Sequence, residues 1–145
     1  MSKRVLTYYL NGYLFGIDIT LVKEINRNVE YTPVPNSKPH IVGLFNMRGQ
    51  IVTLFDLARL MNYEVDATTK SSVCIILKAL PNDPNQVGFL IDKSGDVVEI
   101  GEDEMEKPPA NVGGIDGEFI NSVVKLKETL LIILNAQSIF KSDFK

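Results

Sequence analysis

The hydrophobic pattern of this chain occurs twice. Residues 41–61, IVGLFNMRGQIVTLFDLARLM, match residues 120–140, INSVVKLKETLLIILNAQSIF, at a spacing of 79 positions without insertion or deletion. Each copy predicts an apolar strand, a two-residue polar turn, a second apolar strand and a short helix whose N-cap is Asp56 or Asn135. A looser echo, Ile-Asp at 17–18 and at 91–92, has a spacing of 74. Repeats of this length predict two copies of a small β module.

Local signals predict the remaining elements. Asn11-Gly12 suits a type I′ turn, so residues 4–19 are predicted to form a β-hairpin. Residues 21–27 and 29–34 alternate imperfectly and end at the prolines of 33–35, which predicts an edge or crossing strand. The pattern further predicts strands at 72–80, 86–92 and 96–100, a loop at 81–85, a helical turn at 103–106 and a terminal helix at 136–144.

The repeat also predicts how the chain is divided. A polar stretch at 63–71 is the expected linker, which gives a first β-barrel subdomain at 1–66 and a second, with the C-terminal helix, at 67–145. Modules of this size are marginal alone, so the two are expected to share an interface and form one compact domain. The predicted fold is all-β with short helices, arranged as two tandem barrels.

Composition narrows the classes of function. The chain has 145 residues, 45% hydrophobic content, a formal net charge of −3 and a pI near 5.2. A nucleic-acid-binding protein would normally present a basic face, so no nucleic-acid partner is expected. The longest apolar run, Leu130–Leu134, is far shorter than the roughly 20 residues that span a bilayer, and no signal peptide is evident. A cytoplasmic protein without direct membrane insertion is expected.

The residues offer little for catalysis or metal binding. There is one histidine, His40, and one cysteine, Cys74, so no cysteine metal cluster or internal disulfide is expected. The acidic group at 99–106 lacks the ligand spacing of a calcium loop, and no phosphate-binding glycine motif is present. The predictions are therefore no catalytic residue, no metal and no cofactor. Arg48-Gly49, at the first hairpin tip, is either a solvated turn or a fixed binding group.

Several motifs together resemble the CheW family of bacterial chemotaxis coupling proteins. They cover nearly the whole chain, and the asparagine-x-arginine-glycine hairpin is the most specific of them. In chain order they are Val22-Lys23-Glu24-Ile25, Thr32-Pro33-Val34-Pro35, Ile41-Val42-Gly43, Asn46-Met47-Arg48-Gly49-Gln50-Ile51-Val52, Phe55-Asp56-Leu57 and Gln86-Val87-Gly88-Phe89-Leu90-Ile91-Asp92-Lys93.

The resemblance implies a fold of two five-stranded SH3-like barrels and a non-enzymatic adaptor that connects transmembrane chemoreceptors to the histidine kinase CheA. It implies contact with the kinase's CheW-like regulatory domain and with the helical cytoplasmic tip of the receptor, in a groove between the barrels. By matching positions it implies receptor binding by Val22, Glu24, Arg48 and Gly49. It implies kinase or receptor contact by Val73, Cys74 and Gly88.

Two alternatives remain open from the sequence. The same adaptor role could serve a chemosensory pathway other than flagellar chemotaxis, because nothing in the chain identifies the receptors. A small-ligand sensor built on two barrels is the alternative from another class, and it would need a polar-lined pocket.

Overall fold

A computed structural model describes residues 2–35, 38–61, 73–78, 86–112 and 114–140. The strands are β1 Ser2–Leu10, β2 Tyr13–Asp18, β3 Val22–Asn26, β4 Ile41–Met47, β5 Gln50–Phe55, β6 Val73–Leu77, β7 Gln86–Ile91, β8 Lys93–Gly101, β9 Asn111–Val112, β10 Ile115–Asp116, β11 Ile120–Lys125 and β12 Leu130–Leu134. The α-helices are α1 Leu57–Leu60 and α2 Ala136–Phe140, and 3-10 turns occupy Ile19–Leu21, Glu102–Glu104 and Gly117–Phe119. The predicted linker at 63–71, the loop at 81–85 and the helix end at 141–144 lie outside the described residues.

The predicted turns and caps are present. Asn11 and Gly12 have φ of 53° and 82°, which is the left-handed pair that a type I′ turn requires. The backbone N–H of Arg59 donates to Asp56 Oδ1 at 3.2 Å, and that of Ser138 donates to Asn135 Oδ1 at 3.2 Å. Both copies of the repeat therefore end in a helix capped as the sequence predicts.

The strands form two five-stranded sheets, as predicted for two barrels, with β9 and β10 as a separate pair. Sheet 1 has the order β11-β12-β2-β1-β8, and sheet 2 has the order β3-β6-β7-β5-β4. Neighbours are antiparallel except for two parallel pairs, β12 with β2 and β5 with β7. Each parallel pair joins strands from opposite sides of the predicted linker.

Strand pairing therefore crosses the predicted boundary between residues 66 and 67. The hairpin β1–β2 belongs to the sheet completed by β8, β11 and β12, whereas the hairpin β6–β7 belongs to the sheet of β3, β4 and β5. Each repeat places its N-terminal hairpin in the sheet of the other repeat. Segments 1–66 and 67–145 are consequently not separate sheets, because both parallel and antiparallel pairs, such as β1 with β8 and β3 with β6, join strands across the boundary.

The register also corrects the looser echo in the sequence. Gly16 pairs with Ile133, and Gly88 pairs with Leu54, which is 79 positions before Ile133. Gly16 and Gly88 are thus equivalent, at a spacing of 72. The Ile-Asp echo at a spacing of 74 is two residues out of the structural register.

Two predicted elements differ from the structure. Residues 29–34 form no strand: Thr32 makes only an isolated bridge with Leu44, through hydrogen bonds of 2.8 and 2.9 Å. Pro33 and Pro35 have no N–H to extend a ladder, which explains why the pairing stops there. The helical turn predicted at 103–106 is the 3-10 turn Glu102–Glu104.

Three apolar clusters make up the core. The largest includes residues of both sheets, among them Tyr8, whose ring centroid lies 5.8 Å from that of Phe15 in sheet 1 and 5.5 Å from that of Phe89 in sheet 2. A second cluster, with Leu54 and Cys74, lies on the other face of sheet 2, and a third, with Leu131, on the other face of sheet 1. The two sheets are held together by the first cluster, which we call the central core.

The first prediction concerns the close approach of strands at Gly88. A Cβ at this position would lie 2.9 Å from the backbone oxygen of Ile75 and 3.3 Å from Leu54 Cδ2. We expect Gly88→Ala to lower the free energy of unfolding by roughly 1–3 kcal/mol, because both neighbouring strands must shift. Urea unfolding measures this. Asn121→Ala, at an exposed strand position, is the control, and an equal, small effect of both would contradict the strand packing.

The second prediction concerns pH. Burial raises the pKa of the Cys74 thiol to about 11, the Glu24 carboxylate adds to the rise, and a hydrogen bond with the Asn26 backbone opposes it. The unfolded chain therefore ionises this thiol first, so its contribution to stability is complete below pH 9 and is lost as the pH rises toward 11. Urea unfolding between pH 8 and 11 should show a shallower decline for Cys74→Val than for the wild type. Identical pH profiles would refute the role of this thiol.

Candidate functional site

Arg48 and Glu24 form an ion pair between opposite edges of sheet 2. Glu24 lies on β3, Arg48 follows β4, and Arg48 Nη2 donates to Glu24 Oε1. In a flat sheet these edge strands would be about 19 Å apart, at about 4.8 Å per strand. The pair therefore shows that sheet 2 curls until its two edges meet, as a barrel requires.

Further polar contacts cover the same end of sheet 2. Lys23 Nζ lies 3.4 Å from Gln86 Oε1, and Gln86 Nε2 donates to Gln50 Oε1. Met47, the last residue of β4, is only 6% exposed and belongs to the second cluster. We call Lys23, Glu24, Arg48, Gln50 and Gln86 the polar end of sheet 2.

The backbone of the hairpin tip fixes where Arg48 stands. Arg48 and Gly49 have φ of 52° and 86°, and the N–H of Gly49 donates to Asn46 Oδ1 at 2.8 Å. The Arg48 side chain remains 70% exposed although it is paired with Glu24. A guanidinium held on a type I′ turn with most of its surface in solvent can donate to a second carboxylate.

Apolar side chains adjoin the polar end on the side facing sheet 1. Val22 pairs with Leu77, which is part of the central core, and Val22 itself is half-buried. Ile51 lies two residues before Thr53 and four before Phe55 of the central core, so it points to the same face, yet it is 57% exposed. Val22 and Ile51 thus offer apolar surface on the face of sheet 2 that carries the central core.

The structure separates the remaining residues that the sequence predicts for partner contact. Val73 is half-buried against the central core. Cys74 is fully buried in the second cluster, and Gly88 is buried between β6 and β5. The Cys74 side chain and the Gly88 backbone therefore contribute to the packing of sheet 2, and partner contact by Val73, Cys74 and Gly88 stays a prediction of the resemblance.

The equivalent end of sheet 1 has the opposite character. By the parallel pairings, Leu14 occupies the position that Gln86 has in sheet 2, and Leu126 is the repeat of Met47. Leu126 is 39% exposed, and Tyr9 and Tyr13, on either side of the Asn11-Gly12 turn, are 41% and 44% exposed. We call Tyr9, Tyr13, Leu14 and Leu126 the apolar end of sheet 1.

Sequence reasoning missed the apolar end and most of the polar end. One signal was available in the repeat. Leu126 is the equivalent of Met47, but the Arg48-Gly49 turn that follows Met47 is replaced by Lys127-Glu128, which has no glycine. In the second copy the turn is closed by Leu126 N donating to Thr129 O at 2.9 Å, and neither central residue is left-handed.

The described residues contain neither a metal-binding cluster nor a membrane-spanning helix. No group of three or more histidine, cysteine, aspartate or glutamate side chains among them is arranged to hold a metal ion. None of the helices in that part of the chain is long and apolar enough to cross a membrane.

Comparison with known proteins agrees with this architecture. The CheW-like domain family matches residues 4–144. Proteins described as "Chemotaxis protein CheW" are 28% identical in Treponema pallidum, over 96% of this chain and 82% of that protein, and in Bacillus subtilis, over 98% and 89%. The crystal structure of the scaffolding protein TtCheW from Thermoanaerobacter tengcongensis superposes with a TM-score of 0.83 at 28% identity, covering 100% of this chain and 97% of that one. The chain therefore belongs to the CheW-like domain family, whose members are chemotaxis scaffolds and not enzymes.

Proposed function

We propose that this protein couples the cytoplasmic tips of chemoreceptors to the histidine kinase CheA. The observation that carries the proposal is the difference between two equivalent sheet ends, one with polar side chains joined by hydrogen bonds and an ion pair, the other with exposed apolar side chains. An adaptor needs two surfaces of different chemistry on one rigid body, so that each partner binds at its own place. The shared central core supplies that rigidity.

The polar end of sheet 2 is the proposed receptor contact. An amphipathic helix docks by placing apolar anchors in a groove and charged groups at its rim. Val22 and Ile51 supply apolar surface on the side facing sheet 1, and Arg48 stands beside them with most of its guanidinium exposed. A receptor carboxylate would join or replace Glu24 as the partner of Arg48.

The apolar end of sheet 1 is the proposed contact for the kinase's CheW-like regulatory domain. Aromatic residues and large aliphatic residues at the centre of an interface carry much of its binding energy. Tyr9, Tyr13 and Leu126 are three of the five large hydrophobic side chains that are exposed among the described residues. A partner domain with its own sheet end would cover them by barrel-to-barrel contact.

Arg48→Ala tests the receptor contact. An exposed ion pair stabilises a fold by about 1 kcal/mol or less, so the melting temperature should change little. Loss of a charge-assisted hydrogen bond should weaken binding of a receptor-tip fragment about tenfold or more in a calorimetric titration. Lys127→Ala, the equivalent position of the second copy, is the control and should bind normally. A large loss of stability in Arg48→Ala, or equal binding by both variants, would reject this contact.

Tyr9→Ser and Leu126→Ser test the kinase contact. Both side chains are partly exposed, so each replacement should cost about 1 kcal/mol or less in stability. Binding of the kinase's regulatory domain should weaken about tenfold or more, while binding of the receptor tip stays at the wild-type value. Val97→Ser, at a strand position of sheet 1 that is 42% exposed, is the control. Normal kinase binding by both variants would rule out the apolar end as the docking surface.

A further inference from the structure

Asp92 links the two sheets at the apolar end. It occupies the bend between β7 of sheet 2 and β8 of sheet 1, and its side chain reaches the tip of a different hairpin. Asp92 Oδ2 accepts from the backbone N–H of Asn11 at 2.8 Å, and the N–H of Asp92 donates to the backbone oxygen of Tyr9 at 3.0 Å. Asp92 thus contacts the turn residue Asn11 through its side chain and the strand residue Tyr9 through its backbone.

The turn needs such a contact. Asn11 is one of two non-glycine residues with positive φ among the described residues, a conformation that disfavours side chains. Its N–H is directed away from the β1–β2 ladder, and a carboxylate is a strong acceptor for it. Tyr9 is also held by its strand pairs with Leu14 and Lys93, whereas the turn residue Asn11 lies beyond the last hairpin pair, Leu10 with Tyr13.

The cost of this arrangement argues for a role besides stability. Asp92 Oδ1 is buried and has no hydrogen-bond partner among the described residues. A buried, unsatisfied carboxylate oxygen is destabilising, so the second oxygen of Asp92 offsets part of the stability that its bond to Asn11 contributes. What Asp92 achieves is a fixed position for Tyr9 and Tyr13 on either side of the turn.

We propose that Asp92 is a positioning residue for the kinase contact: it holds the Asn11-Gly12 turn so that Tyr9 and Tyr13, which point to opposite faces of the hairpin, flank the tip in one arrangement that the partner covers. This inference rests on the proposed function of the apolar end. A rigid pair of aromatic anchors binds more tightly than a mobile pair, because less conformational freedom is lost on association.

Asp18 provides a matched control. It ends β2 as Asp92 follows β7, and its Oδ1 accepts from the backbone N–H of Thr20 at 2.9 Å and from Thr20 Oγ1 at 2.8 Å. Asp18 caps the 3-10 turn Ile19–Leu21, away from the apolar end. Its replacement removes a comparable local hydrogen bond without touching the proposed docking surface.

The test compares full-length Asp92→Ala, Asp92→Asn and Asp18→Ala. For each variant, the dissociation constant for the kinase's CheW-like regulatory domain and for a receptor-tip fragment is measured by calorimetry, and hydrogen exchange of the Asn11 amide is followed by NMR. We expect Asp92→Ala to lose Asn11 protection and to bind the kinase domain about tenfold more weakly, with receptor binding unchanged. Asp92→Asn keeps an acceptor oxygen and should therefore retain most of the Asn11 protection and most of the affinity for the kinase domain. Asp18→Ala should change neither quantity.

Each failure has its own meaning. If the wild-type protein does not bind the kinase domain, the proposed kinase contact is wrong, and the role of Asp92 in it is wrong as well. If the wild type binds and Asp92→Ala loses Asn11 protection yet binds equally well, only the positioning role is overturned. The positioning role is also overturned if the Asn11 amide keeps its protection in Asp92→Ala, or if Asp18→Ala weakens binding of the kinase domain as much as Asp92→Ala does.

Discussion

The structure depends on two parallel strand pairs, β5 with β7 and β12 with β2. A parallel pair cannot be closed by a tight turn, so its two strands must come from distant parts of the chain. Here each pair joins the C-terminal strand of one repeat to the N-terminal hairpin of the other. The central core, with Tyr8 between Phe15 and Phe89, forms because this exchange brings the inner faces of both sheets together.

The exchange also explains why two similar repeats have acquired different surfaces. Each sheet end combines a hairpin from one repeat with a turn from the other, so a single change at Gln86 or Leu14 alters one end only. In sheet 2 the glutamine connects Lys23 to Gln50, and Met47 is buried. In sheet 1 the leucine has no polar contacts to offer, and Leu126 remains exposed.

Much of the fold could be predicted from the sequence because its signals are local. The Asn11-Gly12 turn and the helix caps at Asp56 and Asn135 depend only on residues a few positions away. The 79-residue repeat shows the same local pattern twice. The exchange of hairpins could not be predicted this way, since no local pattern says which distant strand will lie beside β2. The same reason accounts for the error of two residues in the looser echo.

The site was predicted in part. Arg48 and Gly49 were identified as a special turn from residue type alone, whereas the pairing of Arg48 with Glu24 depends on how sheet 2 curls. Cys74 and Gly88 were matched to contact positions by resemblance, but their burial follows from the packing of β6, β7 and β5, which the sequence does not state. Tyr9 and Leu126 were missed because exposure at a strand end depends on what covers it.

The interlocked hairpins set an order of events during synthesis on the ribosome. Every strand of sheet 2 has been made once Ile91 is added, but β2 has no parallel partner until Leu134. At about 5–20 residues per second, that interval lasts roughly 2–9 s. The first hairpin of the nascent chain therefore waits for seconds with the β2 edge open, and sheet 1 can close only after β12 has been made.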